Sequence, residues 1–186
     1  AGSTIALTKF WSPTSVTFET STDWENWSTY TSGTIPLSNI WDKVYFRNTS
    51  ETDTWFSTSG GNYYQFSMSW SIAASGDITS LLNKNCTKTL ISSYCFYYLF
   101  YGCTSLTSAP DLPATTITSS CYNQMFRQCT NITTAPELPA TTLASYCYGS
   151  MFYWCTSLTS APDLPGTTLT WYCYSSMFNW CTSLTT

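Results

Sequence analysis

Residues 95–120 read CFYYLFYGCTSLTSAPDLPATTITSS, 121–146 read CYNQMFRQCTNITTAPELPATTLASY, 147–172 read CYGSMFYWCTSLTSAPDLPGTTLTWY, and 173–186 read CYSSMFNWCTSLTT. These are copies of one 26-residue unit. Cys95, Cys121, Cys147 and Cys173 open the copies, and Cys103, Cys129, Cys155 and Cys181 follow at the same interval. A unit this short cannot bury its own apolar face, so neighbouring copies must stack into one continuous core. The expected result is a leucine-rich-repeat-like solenoid of about 3.5 coils over residues 95–186.

Inside each unit two phases are legible. Leu106, Ala109 and Leu112, repeated as Ile132/Ala135/Leu138 and Leu158/Ala161/Leu164, read as a short strand. The P-x-x-P that follows each leucine or isoleucine cannot donate to a ladder, so that strand must be brief. Cys121, Met125 and Phe126 stand at i, i+4 and i+5, which predicts a helical turn with one apolar face. Leu106, Leu158, Phe126, Phe152 and Phe178 are therefore expected in the core. The fold class expected is α+β.

Residues 1–76 read differently. Period-2 runs at Ser15–Thr20 (SVTFET), Lys43–Arg47 (KVYFR) and Tyr63–Met68 (YYQFSM) predict five to seven short strands, the content of a small Ig-like β-sandwich. Gly60-Gly61 reads as a hairpin turn. Residues 77–94 read as a linker and N-terminal cap, with Asp77 as N-cap of a short helical segment.

The unit pattern C-Y-x-x-M-F-x-G-C-T-S-L-T-x-A-P-x-L-P-A-T-T-L resembles the BspA-like leucine-rich repeats of bacterial and some phage surface proteins, over Leu90–Thr186. STDWENWSTYTSG, IWDKVYFRN and SIAASGDITSLL resemble the small β-domain that often precedes such repeats. The resemblance implies an extracellular adhesion or recognition module of a cell or virion surface, taking a host or matrix protein or a glycan as partner, without catalysis. It also implies glycine in the column occupied here by Gly102, Gln128, Trp154 and Trp180, and near Trp11, Trp24, Trp41, Trp55 and Trp70. A single base separates GGA from UGA, which fits a genome that reads UGA as a sense codon: either UGA means glycine and glycine stands at these places, or the tryptophans are genuine. Trp154 and Trp180 are then expected to stack as an exposed pair on a strained backbone.

Composition narrows the chemistry. The 186 residues include 6 Lys+Arg, 10 Asp+Glu and no histidine, for a net charge of −4. Without histidine there is no Ser-His-Asp or Cys-His catalysis and no His-ligated metal. Without a basic run there is no nucleic-acid footprint, and no stretch approaches a membrane span. About a third of the residues are Ser or Thr, which together with the low charge reads as an exported surface protein. No enzyme activity, cofactor or metal is expected.

Three groups remain as candidates. The eight repeat cysteines read best as two ladders of buried structural thiols, with disulfides between adjacent copies open, because stacked backbones lie about 4.8 Å apart. Cys86 is the odd ninth cysteine. Asp111, Glu137 and Asp163 form one acidic column and, with Trp154 and Trp180, are the candidate ligand-binding residues. Trp24, Trp27, Tyr30, Tyr63 and Tyr64 are a third candidate, as a sugar-stacking surface or as sandwich core. The chain stops inside a unit at Thr186, which suggests either a longer array or a homo-oligomer through the repeat ends, growing into a filament.

Overall fold

A computed structural model describes residues 2–10, 16–50, 60–85 and 92–186. The elements in chain order are β1 (Ser3–Phe10), β2 (Phe18–Ser21), β3 (Ser28–Tyr30), β4 (Ile35–Leu37), β5 (Tyr45–Asn48), β6 (Tyr63–Ser69), β7 (Ile72–Ala73), a 3-10 turn (Ile78–Leu81) and β8 (Leu106–Ser108). The expected α+β class is wrong. Among the described residues the helical content is that one four-residue turn, and the rest is small sheets and turns. Cys86, Trp11, Trp55, Ser15 and the strand expected before Gly60 lie outside the described residues.

In the first half, two antiparallel three-stranded sheets form, ordered β4-β1-β6 and β3-β2-β5. An immunoglobulin-type sandwich divides at least seven strands into four and three. Among the described residues the strands divide three and three, not the four and three of the Ig-like expectation. Phe18 meets Tyr64 edge-on at 5.3 Å, and Phe46 meets Phe66 at 5.2 Å, joining one sheet to the other. The Tyr30 hydroxyl adds a polar link, accepting from Leu7 N–H at 3.0 Å. The longest strand, β1, was not among the expected runs. Its buried residues are the consecutive Ile5, Ala6 and Leu7, so the period-2 signal is absent there.

The second half replaces the expected helical turns with something else. Even-numbered residues send their N–H groups to the next repeat: Ser120→Ser145, Tyr122→Cys147, Gln124→Gly149, Phe126→Met151 and Gln128→Tyr153, at 2.8–3.0 Å. Odd-numbered residues close local turns instead: Asn123→Ser120, Met125→Tyr122, Arg127→Gln124 and Cys129→Phe126. The same alternation recurs at the interfaces on either side. A helix would keep every N–H inside the segment; here half of them stitch one repeat to its neighbour.

Side chains follow in pairs. Cys121 and Tyr122 face the core, Asn123 and Gln124 turn from it, Met125 and Phe126 return, and Cys129 ends the run inside. This period of four places apolar residues at i, i+4 and i+5, as a helix would, and so mimics it. Each fourth residue is left-handed: Ser120, Gln124 and Gln128 have φ of +56°, +57° and +64°. Such a backbone bends the chain tightly while keeping alternate donors aimed along the stack.

Because each residue sits on its counterpart, identical side chains form columns. Phe100, Phe126, Phe152 and Phe178 stack at 5.4, 5.6 and 5.8 Å. Leu106, Phe126, Phe152 and Leu158 are fully buried, whereas Phe178 is partly buried. On the proline-containing side, threonine hydroxyls reinforce the backbone bonds that Thr159 N–H and Thr185 N–H make to Thr133 O and Thr159 O. Thr159 Oγ1 donates to Thr133 O at 3.2 Å, and Thr185 Oγ1 to Thr159 O at 3.1 Å.

The two halves meet through β6 and β7. Phe66 heads the phenylalanine column, stacked on Phe100 at 5.1 Å, and its N–H donates to Leu99 O at 2.7 Å. Ile72 pairs in parallel with Leu106 of β8, and Asp77 with Asp111. A strand of the first half thus occupies the place of a preceding repeat, and the apolar core runs through both halves. The Asp77 side chain caps the 3-10 turn by accepting from Thr79 N–H at 2.7 Å.

Candidate functional site

No two of the eight described cysteines are bridged to each other, and seven of the eight are buried. Those of the second ladder each donate backwards to a phenylalanine carbonyl: Cys103 to Phe66 O, Cys129 to Phe100 O, Cys155 to Phe126 O and Cys181 to Phe152 O, at 3.0–3.1 Å. Burial pushes the Cys103 thiol up to about 12 and Cys147 up to about 11, and holds Cys121 and Cys129 well above the ordinary range. A protonated thiol in such surroundings is a poor nucleophile and a poor metal ligand. Among the described residues no group of three or more Cys, Asp, Glu or His could hold a metal ion.

Asp111, Glu137 and Asp163 are all exposed, and they line neither the cleft between Tyr94 and Tyr146 nor the one between Leu7 and Tyr64. Trp154 and Trp180 are brought together: their rings lie 5.8 Å apart and tilt by 27°, 45% and 56% exposed. Their column is left-handed throughout, with φ of +69° at Gly102, +64° at Gln128, +65° at Trp154 and +63° at Trp180. Trp24 and Trp70 share that conformation at +68° and +61°, while Trp41 does not. A bulky side chain there costs of order 1–3 kcal/mol. The neighbouring columns headed by Tyr94 and Tyr98 carry the same strain, so it belongs to the repeat backbone as a whole.

The aromatic group of the first half separates. Tyr64 is buried, and the Tyr30 hydroxyl donates to Gly33 O at 2.6 Å, so both serve the packing. Trp24 and Trp27 meet edge-on at 5.3 Å, with the Arg47 guanidinium 3.7 Å above Trp27 and its Nη2 paired with Glu19 at 2.9 Å. Asp23 organises this turn; hydrogen bonds from Asn26 and Glu25 hold its carboxyl far below the usual range. Tyr63 instead reaches the repeats, edge-on to Tyr98 at 5.2 Å.

The cleft that the repeats themselves build lies elsewhere. It encloses about 350 Å³ and is lined by Tyr94, Tyr97, Ser120, Asn123, Gln124, Tyr146, Gly149, Ser150 and Ser175. Every lining side chain is uncharged, and the mixture is aromatic faces, hydroxyls and carboxamides. Asn123 Nδ2 donates to Tyr146 O at 3.1 Å, and its Oδ1 accepts from Gln124 Nε2 at 3.1 Å. Gln124 Oε1 accepts in turn from Arg127 Nη1 at 2.9 Å. Gly149 is required for this arrangement, since a Cβ there would stand 2.6 Å from Asn123 Nδ2.

No family model, curated protein or solved structure matches this chain. The functional reading therefore rests on the geometry of the chain itself. No helix among the described residues is long and apolar enough to cross a membrane.

None of the cleft residues was a sequence candidate. Their signal was present in the columns of the 26-residue unit: Tyr94, Ser120, Tyr146 and Tyr172 share one position, and Tyr97, Asn123, Gly149 and Ser175 another. Reading that signal requires knowing that these columns face outward, which the assumed helical phase obscured.

Proposed function

We propose that this chain is a non-catalytic recognition module of an extracellular surface, of a cell or a virion, and that it binds a glycan through the outward face of its stacked repeats. The observation that carries this reading is the cleft: neutral aromatic, hydroxyl and carboxamide groups held on a hydrogen-bonded scaffold. Tyrosine offers rigid, amphipathic contact area at small entropic cost, and Ser, Asn and Gly offer adaptable hydrogen bonding. A ligand rich in hydroxyls and free of charge matches both. The exposed Trp154–Trp180 pair extends the same chemistry along the stack.

An array of immobilised glycans and matrix proteins, probed with the full chain, tests the reading. Binding to neutral glycans is expected. Retention on matrix proteins alone overturns the glycan assignment, and long concentration-dependent assemblies in light scattering, with no array binding, would instead indicate a self-assembling structural subunit.

A further inference from the structure

One column of the outward face is interrupted. Positions 94, 120, 146 and 172 carry Tyr, Ser, Tyr and Tyr. All four have the same left-handed backbone, with φ of +58°, +56°, +57° and +58°. Tyr94, Ser120 and Tyr146 each donate an N–H to the following repeat, at 3.0–3.1 Å, so the column is in register. Where two tyrosines are adjacent, Tyr146 and Tyr172, their rings stack at 4.9 Å and 16°. Ser120 puts a single hydroxyl where the next ring would lie, and the cleft opens there, with Tyr94 and Tyr146 among its walls.

Tyr94 and Tyr146 stand two repeats apart. The backbone of position 120 lies one spacing, about 4.8 Å, from that of each of them, so a flat ring held over Ser120 comes between the two tyrosines. That separation falls within the range in which ring faces stack favourably. The floor beneath is polar and held in place: Ser120 and Asn123 are 7% and 8% exposed. Asn123 Nδ2 and Gln124 Nε2 each carry two protons and each spends one on a hydrogen bond to Tyr146 O and Asn123 Oδ1 respectively, which leaves each a second proton to donate.

Building on the glycan reading, we propose that the slot between Tyr94 and Tyr146 takes one neutral sugar ring, sandwiched face to face, with its hydroxyls on Ser120, Asn123 and Gln124. The sugar completes the ring stack that Ser120 interrupts. An aromatic side chain of a protein partner would fill the same gap but would leave the carboxamide donors unmatched.

The test is Ser120→Tyr, which fills the slot with the residue the same column already carries at Tyr146 and Tyr172. Titration calorimetry of the full chain with soluble neutral oligosaccharides of glucose, mannose, xylose and N-acetylglucosamine provides the readout. At least one should bind, and Ser120→Tyr should abolish that binding. Tyr94→Ala and Tyr146→Ala each remove one wall and should weaken it about tenfold, which keeps the test open if Ser120→Tyr fails to fold. An oligosaccharide that binds the wild type and Ser120→Tyr equally overturns the slot and leaves the recognition reading standing. Absence of binding by every oligosaccharide and every arrayed glycan overturns both. Binding of a protein partner that Ser120→Tyr blocks, with no sugar bound, overturns the choice of a sugar.

Discussion

The two halves of this molecule solve the same backbone problem in opposite ways. In the sheets, each strand pairs with a stretch of unrelated sequence: β1 lies between β4 and β6, so Ile5 faces Ile35 on one side and Met68 on the other. In the repeats, each residue pairs with its own counterpart, and tyrosine lies on tyrosine, phenylalanine on phenylalanine. The first arrangement lets every position be chosen separately. The second makes every choice a column, so its benefit or cost recurs along the stack. Left-handed residues show the contrast: they are scattered singly between the strands of the first half, at Trp24, Gly33, Trp70 and Gly76, and stand four apart, three to a repeat, in the second.

Phe66 belongs to both halves, and its loss should have the largest effect. Its ring meets Phe46 across the sheets and Phe100 at the head of the column. Phe66→Ala should cost about 3–5 kcal/mol through the cavity it leaves. Urea unfolding followed by circular dichroism and by tryptophan fluorescence should show one transition at a lower midpoint. Two separated transitions in the wild type would show instead that the halves are independent.

Alkali should act on the repeats first. Residues 1–85 contain no cysteine, while burial raises the pKa of the Cys103, Cys121, Cys129, Cys147, Cys155 and Cys181 thiols in the repeats. The unfolded chain therefore releases thiol protons at lower pH than the folded one. Stability is fully present below about pH 8.5 and falls as pH rises toward 12, by up to about 1.4 kcal/mol per pH unit for each thiol. A midpoint of urea unfolding that stays flat from about pH 8.5 to 11 would contradict this. Native-state alkylation of Cys121 and Cys129 should be correspondingly slow.

The smallest effect has the opposite sign. The rings of Phe96, Tyr122 and Tyr148 stack in one buried column, yet the Tyr122 and Tyr148 hydroxyls have no hydrogen-bond partner among the described residues. Phe96 shows that the column accepts phenylalanine. Tyr148→Phe should raise stability by about 1 kcal/mol, read from the same urea curves. A loss of that size would mean that the hydroxyl is satisfied, and that columns in the repeats are tuned position by position as the sheets are.

How far the chain could be read in advance differs between the halves for the same reason. The 26-residue spacing of Cys95, Cys121, Cys147 and Cys173 is visible because counterparts face each other, so register and repetition are one signal. The helical reading failed because two-in, two-out alternation has a period of four, close to 3.6, and no pattern of side chains reports where the N–H groups point. In the sheets, β1 was hidden by three consecutive buried residues, and its partners are set by long-range pairing. The acidic column drew attention through its charge, yet Asp111, Glu137 and Asp163 remain simply exposed. The cleft was hidden differently. Ser120 means nothing alone in a chain with this much serine, and becomes informative only against Tyr94 and Tyr146 above and below it.

The direction of the donors has one more consequence. Between Cys121 and Cys129 the even-numbered backbone N–H groups point forward to the next repeat, while the thiol of Cys129 points back to the previous one. Every repeat thus presents the same donors ahead and behind. In-frame duplication or loss of 26 residues leaves all of these bonds with partners, whereas insertion of a single residue between Cys121 and Cys129 exchanges the forward-pointing and local donors throughout the segment. Unequal recombination can therefore lengthen or shorten this chain in whole repeats at little structural risk, and each added copy extends every outward column by one position, at which a different slot can be opened by one substitution.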